Sequence, residues 1–172
     1  MTVFDSAAGD TTVVIDAATM HDLTQRLAQE IAAAHEDADA LCLLGILTRG
    51  VPLAGRIARE IGALRGVTPP VGTLATTFYR DDVRSGQSSA MKVGSYTHFD
   101  FSLDGRVVIL VDDVLAAGRT IRAAMDEVFD YGRPARIQLA CLIDRGGREL
   151  PIQPDYLGWR VATAPDDWVA VR

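Results

Sequence analysis

Apolar residues follow a helical period in three parts of the chain and form short continuous runs elsewhere. Spacings of three and four over residues 20–34, 54–64 and 121–129 predict three amphipathic helices. The continuous runs are typical of strands buried on both faces of a parallel sheet. We assign strands to residues 12–16, 41–47, 71–79, 107–111, 136–143 and 156–161. Alternating strands and helices predict an α/β fold with a doubly wound, mainly parallel sheet flanked by helices.

Two polar stretches fall outside this pattern. Residues 1–11 are small and polar around Gly9 and Asp10, and we expect a flexible N-terminal tail that precedes one domain over residues 12–172. Residues 80–100 are rich in Ser, Gly and charged side chains. Long loops in compact domains usually serve a function, so this stretch predicts a long hairpin that acts as a lid.

Composition narrows the class of protein. A length of 172 residues suits one domain, and no apolar run approaches the ~20 residues that cross a bilayer. The N-terminus lacks a basic segment followed by an apolar one, so we expect a cytoplasmic protein without membrane contact. Cys42 and Cys141 lie inside predicted strands, which is typical of buried, reduced thiols. The net charge of -6 argues against extended, sequence-independent binding of nucleic acid.

The most informative stretch is residues 107–120, where an apolar strand ends in Asp112 and Asp113 and a short loop leads to Gly118, Arg119 and Thr120. Open α/β sheets bind ligands at the carboxyl ends of their strands. Gly118 lets a ligand approach the backbone, and a helix N-terminus offers free N–H groups to an anion. Carboxylates for hydroxyl groups beside a cradle for phosphate predict a sugar-phosphate site.

Other interpretations compete for the same residues. A Walker A loop needs Gly five positions before its Gly-Lys-Ser/Thr, but that position is Asp113 and the Lys is Arg119, so this interpretation fails. A magnesium-binding acid pair of the receiver type stays open on this segment alone. So does a buried strand with two solvated, helix-capping aspartates.

Three further loops follow predicted strands, at residues 48–50, 79–82 and 144–149, and each combines Arg with Asp, Gly or Thr. Together with residues 112–120 they predict a polar rim around one pocket. Arg49 follows an apolar strand and precedes Gly, which favours a phosphate role. We interpret Arg56, Arg59 and Arg122 as solvated surface charges.

These segments resemble the type I phosphoribosyltransferases, and in particular the bacterial pyrimidine operon attenuator/uracil phosphoribosyltransferase family, PyrR. The resemblance covers residues 12–161. It rests on residues 45–50 (GILTRG), 77–82 (TFYRDD), 108–115 (VILVDDVL), 118–120 (GRT), 132–134 (GRP), 137–139 (IQL), 144–146 (DRG) and 148–151 (RELP).

The resemblance implies a uracil phosphoribosyltransferase that converts uracil and phosphoribosyl diphosphate (PRPP) to UMP and diphosphate. Mg²⁺ would enter with PRPP near Asp112 and Asp113, without a site made by protein alone. These two aspartates and Arg80 would be catalytic. Diphosphate and 5′-phosphate would bind Thr48, Arg49, Gly50, Val114, Leu115, Ala116, Ala117, Gly118, Arg119 and Thr120. Asp144, Arg145 and Arg148 would form the rim of the base and nucleotide site.

The chain departs from the family both in the expected phosphate site and in the expected RNA-binding surface. Ala116 and Ala117 replace the usual Tyr and Thr or Ser, so one hydroxyl donor to phosphate is lost, a cost of about 0.5–1.5 kcal/mol. Asp22, Gln25 and Gln29 stand where RNA-binding relatives place Arg, Thr and His. The RNA contacts that remain are Arg26, Arg145 and Arg148. The alternative function is therefore a UMP-sensing, RNA-binding attenuator of pyrimidine genes with little catalysis. In either case we expect a homo-oligomer.

Overall fold

The computed structural model describes residues 2–5, 11–76, 96–161 and 168–171. In chain order the elements are β1 (Thr2–Asp5), β2 (Thr11–Ile15), α1 (Ala17–Ala34), β3 (Leu41–Ile46), α2 (Gly50–Arg65), β4 (Val71–Leu74), β5 (Val107–Leu115), α3 (Arg119–Tyr131), β6 (Arg136–Asp144), β7 (Tyr156–Arg160) and β8 (Trp168–Val171).

Five of these strands form the sheet that the apolar runs predict. Their order is β4-β3-β5-β6-β7, and every neighbouring pair is parallel. Order and direction place β5 at the centre, with β3 and β6 on either side. Because parallel strands end at the same edge, the loops after β3, β5 and β6 share one edge of the sheet. The predicted α/β fold is confirmed.

Each face of this sheet carries its own core. Leu41 and Leu43 of β3 pack with the apolar faces of α1 and α2, whereas Cys42 and Leu44 pack with α3 on the opposite face. The alternation follows from the period of two in a strand. Most of these side chains are fully buried, and each buried Leu or Ile contributes about 1.5–3 kcal/mol to folding.

Local signals set the ends of the helices. The Asp16 carboxylate accepts a hydrogen bond from the Thr19 backbone N–H at 2.8 Å and caps α1. This bond to the charged form lowers the pKa of Asp16. Gly66 ends α2 in the left-handed conformation, with φ of 77°, and its N–H bonds to the Gly62 carbonyl.

A second sheet joins the two ends of the chain in the antiparallel order β2-β1-β8. The expected flexible tail over residues 1–11 is therefore wrong for Thr2–Asp5, which pairs with strands on both sides. The residues of this segment are too few to indicate a strand by themselves, and one of its two partners, β8, is distant in sequence. Whether residues 12–172 form a single domain stays a prediction.

Two sequence predictions fall partly outside the described residues. The strand expected over residues 71–79 is described as Val71–Leu74, and residues 77–95, with most of the expected lid, are outside the described part. Where the description resumes, His98 pairs with Thr73 through two backbone hydrogen bonds of 2.8 and 2.9 Å. Within the described ranges, no helix is both long and apolar enough to cross a membrane.

Candidate active site

The acid pair lies near the end of the central strand. Asp112 is buried and Asp113 half-buried, and the Asp113 backbone N–H donates to Asp112 Oδ1 at 3.0 Å. In the parallel register Asp112 lies beside Cys141 of β6. Burial first, and the negative charge of Asp112 second, raise the pKa of the Cys141 thiol well above its ordinary value. That thiol is therefore protonated and unsuited to act as a nucleophile.

The loop after the acid pair turns its carbonyl groups away from the helix that it opens. The Leu115 carbonyl accepts from Arg145 N–H at 3.1 Å, and the Ala117 carbonyl accepts from Glu149 and Leu150 N–H at 3.0 and 3.2 Å. Segment 145–152 thus backs this loop. The first N–H groups of α3 have no partners within a helix, and an anion can take them.

Gly118 makes the transition from the loop to α3. Its φ of 92° is a left-handed conformation that side chains with a Cβ rarely adopt. An added Cβ would make only an ordinary van der Waals contact with Ile152, at 3.4 Å, so the backbone conformation is what favours glycine here. That Gly118 lets a ligand approach the backbone stays a prediction.

The predicted diphosphate loop packs directly against the central strand. A Cβ on Gly50 would lie 2.2 Å from the Val111 carbonyl oxygen, so only glycine allows this approach. The Leu47–Thr48 peptide bond in the same loop is cis. Thr48 and Arg49 are exposed. The packing brings Arg49 to the part of the sheet edge where β5 carries its acid pair.

Arg49 and Asp113 line one cavity of about 560 Å³ between α1, α2 and β8. Met20, Leu53, Leu142 and Val171 give it an apolar lining. Arg56 and Arg59, which we interpreted as solvated surface charges, are exposed and also line the cavity. Arg56 lies seven residues after Arg49 and Arg59 lies three residues after Arg56, and these helical spacings, which place side chains on one face, were the missed signal.

The predicted base rim is largely occupied by interactions within the protein. Asp144 is 3% exposed; its Oδ1 accepts from Gly146 N–H at 2.9 Å and pairs with Arg148 at 2.8 Å. Its Oδ2 pairs with Arg160 at 3.3 Å. Arg148 also donates to the carbonyls of Ala116 and Ile152 at 2.9 and 2.8 Å. The structure brings the rim to the phosphate loop, and its contact with a base stays a prediction.

Three other predicted arginines have separate positions. Arg119 forms an ion pair with Glu149, a partner that the sequence did not indicate. Arg26, on α1, donates to the carbonyls of Leu157 and Gly158 and lies 3.6 Å from Glu30. Arg80, which we assigned to catalysis, lies outside the described residues.

The donor set around the acid pair suits a hard cation. Mg²⁺ prefers oxygen ligands and commonly binds one or two carboxylates together with substrate phosphates. Asp112 and Asp113 supply such carboxylates beside a loop that opens a helix, whose first N–H groups can bind an anion. Among the described residues, no cluster of three or more His, Cys, Asp or Glu side chains could hold a metal ion.

Comparisons with known proteins agree with this geometry. The profile of the phosphoribosyl transferase domain family matches residues 15–170. The "Bifunctional protein PyrR" of Picosynechococcus sp. is 48% identical over 158 residues, which cover 92% of this chain and 88% of that protein. The protein of the same name from Geobacter sulfurreducens is 48% identical over 162 residues, with 94% and 90% covered.

Solved structures show the same fold at low identity. A hypoxanthine-guanine phosphoribosyltransferase from Bacillus anthracis has a TM-score of 0.67 at 16% identity and covers 88% of this chain and 82% of its own. A hypoxanthine phosphoribosyltransferase of Trypanosoma cruzi has a TM-score of 0.67 at 17% identity, with 89% and 83% covered. The chain belongs to the phosphoribosyltransferase family and, within it, to the PyrR family.

Proposed function

We propose that this protein is a uracil phosphoribosyltransferase that forms UMP and diphosphate from uracil and PRPP. The observation that carries the proposal is the arrangement of one sheet edge. A carboxylate pair lies near the end of the central strand, a loop that opens a helix follows it, and Arg49 lies on the neighbouring loop and shares a cavity with Asp113. These groups match a ribose, a 5′-phosphate and a diphosphate in turn.

The proposed reaction develops opposite charges at two places. The bond between ribose C1 and the diphosphate oxygen breaks, and its electron pair leaves with diphosphate. Uracil N1 forms the new bond to C1, and its proton passes to the departing diphosphate. Asp112 and Asp113 accept hydrogen bonds from the ribose hydroxyls and stabilise the cationic sugar, while Arg49 stabilises the leaving group. Mg²⁺ bound with PRPP would neutralise part of the diphosphate charge. Arg80 and the expected lid, outside the described residues, would exclude water.

Turnover by an acid-pair variant tests the proposal. We expect the wild type to form UMP from uracil and PRPP, and Asp112→Asn with Asp113→Asn to reduce the rate more than tenfold without unfolding the protein. The matched control is Asp126→Asn with Asp130→Asn, which removes the same charge from exposed positions on α3. Retention of more than a tenth of the wild-type rate by the acid-pair variant would contradict the assignment.

The attenuator function is the second candidate, because the relatives carry the name "bifunctional". Contacts of the predicted RNA-binding arginines favour the enzyme. Arg26 is bound to backbone carbonyls of β7, and Arg148 is bound to Asp144 and two further carbonyls. An arginine held in this way must exchange partners before it can neutralise an RNA phosphate.

Filter binding of a pyrimidine-operon leader RNA, with and without UMP, separates the two functions. We expect weak binding that falls steeply with salt, by a slope of about −0.7 to −0.9 per phosphate contact. Nanomolar, sequence-selective binding that UMP strengthens would make regulation the primary function. In that case RNA would strengthen UMP binding by the same factor. The expected homo-oligomer stays a prediction.

A further inference from the structure

Arg148 is much less exposed than Arg119 and Arg160, two other arginines that form ion pairs in this part of the structure. Its side chain is 15% exposed, against 58% for Arg119 and 69% for Arg160. Each of its three nitrogens has a different acceptor. Nε donates to the Ile152 carbonyl at 2.8 Å, Nη1 to the Ala116 carbonyl at 2.9 Å, and Nη2 to Asp144 at 2.8 Å. Only a planar, forked side chain can serve three acceptors in this way.

The carboxylate that pairs with Arg148, that of Asp144, is itself held in place. Asp144 ends β6 in register with Leu115 of β5, so its backbone belongs to the sheet. Its side chain is also bonded to Gly146 N–H and paired with Arg160. Hydrogen bonds with an ionised partner are about twice as strong as neutral ones. Arg148 therefore connects the end of β6 to the loop that follows the neighbouring strand, β5.

The contact with Ala116 determines how the phosphate loop presents its donors. Three successive carbonyls, of Leu115, Ala116 and Ala117, point to segment 145–150. Backbone N–H groups hold the first and third, but a side chain, that of Arg148, holds the second. In a trans peptide the C=O and the following N–H point in opposite directions. Fixing the Ala116 carbonyl toward Arg148 therefore directs the Ala117 N–H to the opposite side of the loop.

We propose that Arg148 is the positioning residue of the phosphate loop, which holds the peptide between Ala116 and Ala117 with its N–H toward the 5′-phosphate. The inference rests on the proposed function, because it takes this loop as the phosphate site. Ala116 and Ala117 offer no side-chain hydroxyl, so binding depends on correctly oriented amides. Arg148 does not touch the 5′-phosphate in this arrangement, and its effect on phosphate binding passes through the backbone.

Steady-state kinetics and calorimetric titration of three variants test the proposal. Arg148→Met removes all three contacts. Arg148→Lys keeps the charge beside Asp144 but cannot hold both carbonyls, and it serves as the second variant if Arg148→Met does not fold. Arg160→Met is the matched control, because Arg160 pairs with the same carboxylate from an exposed position.

We expect both Arg148 variants to raise the KM for PRPP and the Kd for UMP at least tenfold. The KM for uracil and kcat should change less than threefold, and Arg160→Met should leave all four values within threefold. A purely structural role would instead lower kcat and raise both KM values together. Such a pattern, or wild-type phosphate affinity in Arg148→Lys, would overturn the proposal.

Titration with GMP separates this inference from the proposed function. A wild type that binds GMP but not UMP would disprove uracil as the base, while the Arg148 effect could still be measured on GMP. A wild type that binds neither nucleotide and forms no UMP would overturn both proposals, since the loop would then not bind a nucleotide phosphate. A wild type that forms UMP while the Arg148 variants match it would overturn this inference alone.

Discussion

The arginines that follow β3 and those that follow β6 have different surroundings, although both groups belong to one edge of one sheet. Arg49, after β3, is exposed at the cavity and makes no ion pair within the described ranges. Arg148, after β6, is bound to Asp144 and two carbonyls. The number of arginines near a site is thus a poor guide to its capacity for anions. The hydrogen-bond acceptors that the protein itself places around a guanidinium determine whether that guanidinium can bind an anion.

This difference assigns the two groups to different tasks. An arginine without an internal partner can bind a phosphate at full strength, because no existing hydrogen bond has to be broken. One with three internal acceptors stabilises the loop that carries it. We therefore propose that the end of β3 contributes direct contacts to the ligand and that the end of β6 holds the proposed phosphate loop in place.

The largest effect should come from removing the direct contact. We expect Arg49→Met to raise the KM for PRPP about ten- to hundredfold, since a hydrogen bond to a charged group is worth roughly 1.5–3 kcal/mol. The melting temperature should not fall, because Arg49 holds no other part of the described structure. Arg122→Met, on the exposed face of α3, is the control. A fall in melting temperature without a change in KM would show that Arg49 has the structural task instead.

A smaller effect should come from restoring a donor to the phosphate loop. We expect Ala117→Thr to tighten UMP binding about three- to tenfold, which corresponds to ~0.5–1.5 kcal/mol for one hydrogen bond. Ala117 is only 7% exposed, so the added atoms must fit beside segment 145–150. Ala117→Val has the same shape without the hydroxyl and controls for packing. Equal UMP affinity in the Thr and Val variants would mean that the hydroxyl finds no phosphate.

The sequence predicted the parallel sheet, its helices and the loops that meet at one edge, because local apolar periods and the order of elements determine them. It did not predict β1 pairing with β8, since that contact depends on residues at opposite ends of the chain. It assigned Arg49 to phosphate and Arg145 and Arg148 to the rim of the base site, in each case as direct contacts with a ligand. The difference between Arg49 and Arg148 depends on Asp144, Ile152 and the carbonyl of Ala116, whose directions no residue spacing reveals.

The smallest effect concerns the two buried cysteines in β3 and β6. Cys42 lies in β3 and Cys141 in β6, and both thiols are buried. Burial raises the pKa of Cys42 from 9.0 to about 11 and that of Cys141 well above 9.0. Above pH 9 the unfolded chain loses these thiol protons while the folded chain keeps them. The unfolded state then binds fewer protons, so stability falls as pH rises.

Urea unfolding at pH 8 and pH 10 measures this dependence. We expect Cys42→Ala to reduce the loss of unfolding free energy between the two pH values by about 1 kcal/mol, because one unit of pKa difference corresponds to 1.36 kcal/mol. Comparing the change with pH, rather than stability itself, removes the packing cost of the substitution. Cys141→Ala should reduce the loss at least as much, since the negative charge of Asp112 adds to burial in raising the pKa of the Cys141 thiol. If Cys42→Ala keeps the full pH dependence, its thiol ionises as readily in the folded protein as in the unfolded chain, and the strand that leads to Arg49 is open to water.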